Sequence, residues 1–496
     1  MYRIVPGTIH AKLLKYPGSH SVLPCLLFAV LLSSCATYDD SLIDHGEIEI
    51  HTPGYPNFHL NTYNELIPGE GGLLNMELSI PTSNLYFRRN DDDTFAARIT
   101  KRITIEQQRP DDSDSYRTIH NDIHEDTLLT DNYDTTGSDA KFEFSTRYSL
   151  NPGNYNITVT VTDNQSGKDI TRTREITVID IQEEEVAFGD LRILTRREGD
   201  QEFKTEPGYH LNSDFDSLKT NFQLFVESSI PDDAELQMRL LRFNSDNTPA
   251  RPPHHHTPLI GSLIYQGIDY NEPDTLHTVT RGLSELDGVI DIDFELPALP
   301  QGNYRVEVEN HNFSVEDEDG NNEEMYRARD FSVMPSGFPN INDMELMTDA
   351  LIYITRPGEY EEINASSHPD TLRKNFEQFF GELYSNRNIA KNVISSYFNR
   401  VEEANLLFST HKQGWKTDPG MVYILFGQPD HQDHSMEGMA WHYYGSSTQQ
   451  TKTFVFERSR NVGRAYPTEN YILIRGRQFD RAYQNSLERW RRGLIY

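Results

Sequence analysis

Two stretches 149 residues apart carry the same turn-into-strand signature, and they constrain the N-terminal half of the chain more than any other feature. In the first, Phe144 precedes Leu150-Asn151-Pro152-Gly153-Asn154-Tyr155, followed by Ile157 and Val159. In the second, Phe294 precedes Leu299-Pro300-Gln301-Gly302-Asn303-Tyr304, followed by Val306 and Val308. Each is a Pro/Gly turn feeding a strand, and Asn156, Thr158 and Thr160 alternate with Ile157, Val159 and Val161 at the period of a strand with one wet face. A Tyr at such a corner buries its ring while its hydroxyl reaches backbone near the turn. Further runs at Leu73–Ile80, Phe95–Ile105, Lys141–Tyr148 and Arg172–Val178 are separated by turn clusters such as Asn90-Asp91-Asp92-Asp93. The spacing predicts two Ig-like β-sandwiches, over residues 51–182 and 183–338, joined by the acidic segment Ile181–Glu185.

The first forty residues are read separately, as a targeting segment. Arg3, Lys12 and Lys15 precede an apolar run from Val22 to Leu32, and Leu32-Ser33-Ser34-Cys35 resembles a bacterial lipobox. The run is shorter than the roughly 20 apolar residues a spanning helix needs. A signal peptide over residues 1–34, lipid on Cys35 and a tether over residues 35–50 are therefore expected. Ala36 beside the Cys suits delivery to an outer membrane, so the expected location is the cell envelope, with the membrane as partner through the lipid. Asp39-Asp40 faintly resembles the surface-export signals of some Bacteroidetes-type lipoproteins. Cys25 and Cys35 are the two cysteines, so a chain cleaved before Cys35 has no thiol for a disulfide or a Cys-based metal site.

Removing the three signal bases leaves 42 Lys and Arg against 77 Asp and Glu, a net charge of −35. That field repels phosphate backbones, and no nucleic-acid partner is expected. No cofactor and no metal site is expected either. Pro252-Pro253-His254-His255-His256 points consecutive imidazoles in different directions, as a solvated loop does. Glu316–Glu324 lacks EF-hand spacing, with Asn322 where a Gly belongs, and reads as an acidic hairpin tip.

From Asn340 the period changes to that of helices. Met344, Met347, Leu351 and Ile354 follow the start signals Pro339 and Asn342-Asp343, with Pro357-Gly358 as the stop. Leu372, Phe376, Phe379, Phe380 and Leu383 mark a second helix, and Ile389 to Phe408 a third. Residues 339–410 form the helical part and 411–496 the core and closing helix of an α+β domain. Within it, Asp418-Pro419-Gly420-Met421 suits a type II turn, with Gly420 supplying positive φ. Met421–Phe426 reads as a buried strand ended by Gly427-Gln428-Pro429-Asp430, with Ala440–Tyr444, Thr453–Glu457 and Tyr471–Arg475 as its partners. From Lys452 to Arg492, ten basic residues stand against four acidic ones, which suggests pairing with the acidic sandwiches.

Gly414-Trp415-Lys416-Thr417-Asp418 resembles the signature of the GWxTD domain-containing proteins of Bacteroidetes-like and Acidobacteria-like bacteria. The likeness spans Asn340–Tyr471. It includes Arg400-Val401-Glu402-Glu403-Ala404-Asn405 with Phe408, the run to Asp430, and Trp441-His442-Tyr443-Tyr444. Gly414, Trp415, Thr417, Asp418, Gly420, Tyr423, Gly427, Pro429, Asp430 and Trp441 are its motif positions. Phe379-Phe380 stands where the family pattern has an aromatic pair ending in Trp, and Pro419 where an Arg is frequent. The resemblance implies an envelope-lipoprotein context and no reaction.

Two functions follow as expectations. One is a non-catalytic, lipid-anchored module that docks an envelope protein, with Trp415 and Trp441 as candidate binding residues or as core. The other is an envelope hydrolase using an acidic residue and a His of this region, with Asp418, Asp430 and His431 as candidates and His434 or His442 as alternative imidazoles. A strand of six residues would hold the two acids roughly 20 Å apart, beyond the 6.5–9.5 Å of an inverting glycosidase pair. His431-x-x-His434 is half of a metal motif at most.

Overall fold

The computed structural model describes residues 43–495 except 45–50, 53, 68–70, 110–111, 137–139, 182–185, 228–230, 256–266, 284–287, 312–314, 317–321, 324, 436, 446–450 and 459–469. The lipobox and Cys35, most of the tether, His256 and most of the acidic linker lie outside the described residues. Among the described ones, no helix is long and apolar enough to cross a membrane.

Strands dominate up to Met334 and helices follow. In the first part, strands His59–Ile67, Gly71–Pro81 and Lys141–Leu150 make one sheet. Phe95–Arg109 pairs with Asp112–Thr130 and Gly153–Asp163, and the latter with Lys168–Val178, to make another. Both sheets feed one core, in which Leu74, Met76, Ile103, Ile157 and Val159 are fully buried. Lys101 is buried there too, its ammonium 3.4 Å from the centre of the Phe144 ring and 2.6 Å from Asp126.

The second part repeats this order. Ser217–Val226 pairs with Arg192–Arg196 and Gly288–Leu296, while Glu235–Ser245 pairs with Ile268–Gly282 and Gly302–His311, and the last with Tyr326–Met334. The repeated turn behaves as its chemistry predicts. The Tyr155 hydroxyl donates to the Asn151 carbonyl at 2.7 Å, and that of Tyr304 to the Pro300 carbonyl at 2.6 Å. Both rings are buried, so the hydroxyl satisfies a turn carbonyl where water has little access.

One part of the expected tether is a strand. Ile43–Asp44 pairs in parallel with Ala328–Arg329, and Asp44 bonds the Arg329 guanidinium, so this segment docks on the second sheet system. Val315–Glu316 pairs antiparallel with Asn322–Glu323, and the acidic residues 317–321 between them lie outside the described residues.

Beyond Met334, helices Met344–Ala350, Pro369–Leu383 and Arg387–Phe408 occupy the predicted stretches, with Asp343 and Asn386 capping the first and third. Pro357 is not a stop: it opens a further helix, Pro357–Ile363, as the first-turn Pro whose missing N–H costs nothing. The larger correction concerns Asp418–Phe426, which is an α-helix and not a turn plus strand. An apolar run without alternation suits a buried strand or a helix buried all round, and here every residue from Pro419 to Leu425 is buried. A four-stranded antiparallel sheet of His431–Ser435, Gly438–Tyr443, Lys452–Arg458 and Tyr471–Leu473 packs Met439, Trp441, Phe454, Phe456 and Leu473 into the same core. Asp480–Arg491 closes the domain.

Candidate functional site

The Gly414–Asp430 segment begins where helix Arg387–Phe408 ends. Gly414–Lys416 is a single 3-10 turn pressed against that helix, so close that a Cβ on Gly414 would lie 1.9 Å from the Ala404 carbonyl oxygen. Thr417 is the N-cap of the following helix. Its hydroxyl accepts from the Gly420 N–H at 3.1 Å and donates to the Gly414 carbonyl at 2.7 Å. Gly420 therefore serves close approach and not positive φ: its Cβ would meet the Gly414 oxygen at 1.9 Å. Positive φ belongs to Gly427 (83°), which ends the helix and donates its N–H to the Tyr423 carbonyl at 2.7 Å.

Asp418 is the first helical residue, and its carboxylate is almost wholly enclosed. It accepts the Leu473 N–H at 2.7 Å and two bonds from the Arg475 guanidinium, at 2.5 and 2.9 Å. Helix start, last sheet strand and guanidinium are thereby tied together by charge-assisted bonds. Trp415 is 0% exposed; its indole N–H donates to Gln413 at 2.6 Å and its carbonyl accepts from Tyr353 at 2.9 Å. Trp441 is 1% exposed, between the rings of Phe408 and Phe456. As candidate docking residues both are corrected to core: neither presents surface to a partner. Tyr423 donates to Glu403 at 2.8 Å, and Pro429 is buried.

Residues 410–416 also grip the preceding sheets. Lys412 pairs with Asp246 at 2.9 Å and donates to the Thr248 carbonyl at 2.9 Å, while Lys416 reaches Asn247 at 3.3 Å. His411 bonds the Asp246 carbonyl at 2.9 Å, its own carbonyl accepts from Asn303 at 3.0 Å, and His210 bonds the Thr410 carbonyl at 2.7 Å. Arg475 donates to the Arg251 carbonyl at 3.1 Å, Gly476 to that of Pro253 at 3.1 Å, and Ala250 enters the C-terminal core. Among the described basic residues of the C-terminal stretch, Arg475 pairs with Asp418, Arg491 with Glu359 and Arg492 with Glu488, all within their own domain.

Burial pushes His411 down from 6.5 to about 3, with the neighbouring Lys412 adding to the effect, and pushes His210 down to about 4. Both are neutral in the folded chain. On acidification the unfolded chain takes up these protons first, so their stabilisation is complete above pH 6.5 and drains away as pH falls toward the folded values. His411 alone is expected to cost about 2 kcal/mol between pH 7 and pH 5. All three Trp (415, 441 and 490) lie in the C-terminal domain, so their fluorescence in urea titrations at the two pH values reads this change. His411→Gln should remove its share of the loss and leave that of His210.

The two candidate acids stand apart. Asp418 opens a nine-residue helix about 13 Å long at 1.5 Å per residue, and Asp430 lies beyond its far end. Asp430 accepts the Tyr444 N–H at 2.6 Å and starts the hairpin. His431 instead joins His442, already a candidate from the sequence, through Asp433, which the sequence did not single out. Its Nε2 lies 3.0 Å from one oxygen of Asp433, whose other oxygen is 2.9 Å from His442 Nε2, and His442 Nδ1 is 3.0 Å from the Thr453 hydroxyl. His431 is directly opposite His442, and His442 opposite Thr453, on the outward face of the sheet. Both imidazoles hold Asp433 below the usual carboxylate range, the bond from His442 being the stronger influence. His434, three residues from His431, falls on the other face, so the two cannot ligate one metal. The His254 and His255 rings meet edge to face with centres 4.4 Å apart, and among the described residues no group of three His, Cys, Asp or Glu is arranged to hold a metal. The signal for the His431–Asp433–His442 row was strand alternation across a hairpin, which shows only once register is known.

A β-rich N-terminal part joined to a C-terminal domain of helices and a small sheet, organised on a Gly-Trp-x-Thr-Asp knot, defines a domain class. The GWxTD domain family matches residues 317–492, and the protein is a GWxTD domain-containing protein. The match begins before the first helix and takes in strand Tyr326–Met334. A search of curated proteins finds no match. Among solved structures, trypsin-activated alpha-2-macroglobulin from Escherichia coli is similar at 13% identity over 59% of this chain and 17% of its own, with a TM-score of 0.16. The native conformation of the same E. coli protein matches at 13% identity over 60% and 17%, TM-score 0.17. The elastase-activated form matches at 14% over 57% and 22%, TM-score 0.18. The chain thus spans less than a quarter of those proteins, and scores this low carry no argument about fold.

Proposed function

We propose that this is a non-catalytic, lipid-anchored protein of a bacterial cell envelope, held in the outer membrane through Cys35. It presents two Ig-like sandwiches and its GWxTD domain as one interaction or structural module for an envelope protein partner. What carries the reading is how the knot spends its polar groups. Thr417, Asp418, His411, Lys412 and Lys416 all bond inward or across to the loop at 246–253, which is the behaviour of a clamp. The repeated strand order, with a bonded Tyr corner in each copy, supports the Ig-like assignment.

Metabolic labelling with radioactive palmitate is expected to mark the protein, and the label to vanish in Cys35→Ala; label that persists refutes the anchor. One observation favours a second reading, an envelope hydrolase. Thr453, His442 and Asp433 form a hydroxyl–imidazole–carboxylate chain of the kind that activates a nucleophile. Under the first reading His442→Ala leaves envelope hydrolysis unchanged. Loss of a measured hydrolysis with Trp fluorescence intact selects the second.

A further inference from the structure

Strand Asp112–Thr130 is 19 residues long, and among the described residues it pairs only with Phe95–Arg109. It is therefore an edge, with alternate peptide groups facing away from its neighbour. Proteins blunt such edges with Lys, Pro or bulges. The opposite edge of this sheet, Lys168–Val178, carries Lys168, Arg172 and Arg174. The equivalent edge of the second part, Ile268–Gly282, carries Pro273 and two register shifts. Residues 115–130 contain no Lys, Pro or Gly. The register shift nearest their middle falls at Ile119, leaving 120–130 regular.

The inward side chains of that regular stretch are occupied. Tyr148 donates to Asp122 at 2.9 Å, the His120 and Tyr148 rings stand 4.9 Å apart, and those of His124 and Phe144 5.2 Å. Its outward side chains include Ile123, 55% exposed, and Leu129, 66% exposed. Exposed apolar side chains on an open edge ask for a partner strand, and the charge order says which one.

We propose that two copies of this chain pair antiparallel through strand Asp112–Thr130, with the two-fold axis at Ile123. In that register Ile123 faces the partner's Ile123, Asn121 faces the partner's Glu125, Asp122 the partner's His124, and His120 the partner's Asp126. Every carboxylate between 120 and 126 then meets an imidazole N–H or an amide, and no like charges oppose. Asp122 and Asp126 each have a second oxygen to accept the new bond. Axes at Asp122, Glu125 or Asp126 put a carboxylate opposite itself, an axis at His124 opposes Asp122 to Asp126, and an axis at Asn121 runs the pairing across the shift at Ile119. The overall charge of −32 repels copies in general, so only a locally complementary edge brings them together.

The test uses the full chain with Cys25 and Cys35 both changed to Ser, which also removes any association through lipid. Sedimentation at micromolar concentration in physiological salt should give twice the 57.2 kDa chain mass. Ile123→Lys sets two ammonium groups face to face on the axis and should halve that mass, with the circular dichroism unchanged. In the same background, mild oxidation should cross-link Ile123→Cys to itself at least about tenfold faster than Leu129→Cys, because only the axial position meets its own copy. A single-chain mass for the parent overturns the proposal. So does a dimer that survives Ile123→Lys, or equal cross-linking at the two positions.

Discussion

Asp418→Ala is expected to cost the C-terminal domain about 3–5 kcal/mol, the usual loss when one partner of a buried ion pair is removed. The Arg475 guanidinium would keep its enclosure, with 11% of its side chain exposed, and lose its counter-charge, while the Leu473 N–H would lose its acceptor. Urea unfolding followed by Trp fluorescence measures the loss in this domain alone. Asp418→Ala with Arg475→Met should lose less than Asp418→Ala by itself, because the stranded charge is gone. Equal midpoints for Asp418→Ala and the parent would mean that the pair is not the tie described. The same variants decide whether Asp418 matters to the proposed function through chemistry or through stability. Activity that tracks the midpoint belongs to stability.

Gly414→Ala is expected to be at least as damaging. The added Cβ would sit 1.9 Å from the Ala404 carbonyl oxygen and 2.9 Å from the Asn405 Cα, which are backbone atoms of a packed helix that no rotamer change can move. Overpacking costs 1–3 kcal/mol where side chains give way, and here the helix and the 3-10 turn would have to separate, so a loss of about 3 kcal/mol or more follows. Gly381→Ala is the control of opposite sign. It lies within helix Pro369–Leu383 with nothing within 4 Å of its Cβ, and should gain roughly 0.5–1 kcal/mol. Matching midpoint shifts for the two would remove close packing as the reason for Gly414.

Much of this was legible in the residues. Alternation located the strands around Tyr155 and Tyr304, and the hydroxyl-to-carbonyl bond at each corner follows from a Tyr entering a strand beside a turn. Helical spacing and Asx caps placed three of the C-terminal helices within a few residues. Met421–Phe426 was misread because an apolar run of six carries no period, and Pro419-Gly420 is compatible both with a type II turn and with a helix start. Thr417 was the available clue, since its hydroxyl three residues before Gly420 makes an N-cap.

By itself, then, the sequence determined the division into strand-rich and helix-rich parts, the two Tyr corners and the knot as the domain's organising segment. These depend on backbone chemistry and hydrophobic period, which act within a few residues. Only the tertiary structure decided that Asp418 answers to Arg475 across 57 residues, that His411 and Lys412 clamp Asp246, and that His431, Asp433 and His442 share one sheet face. Pairings between residues far apart in the chain depend on register and packing, which local pattern leaves open.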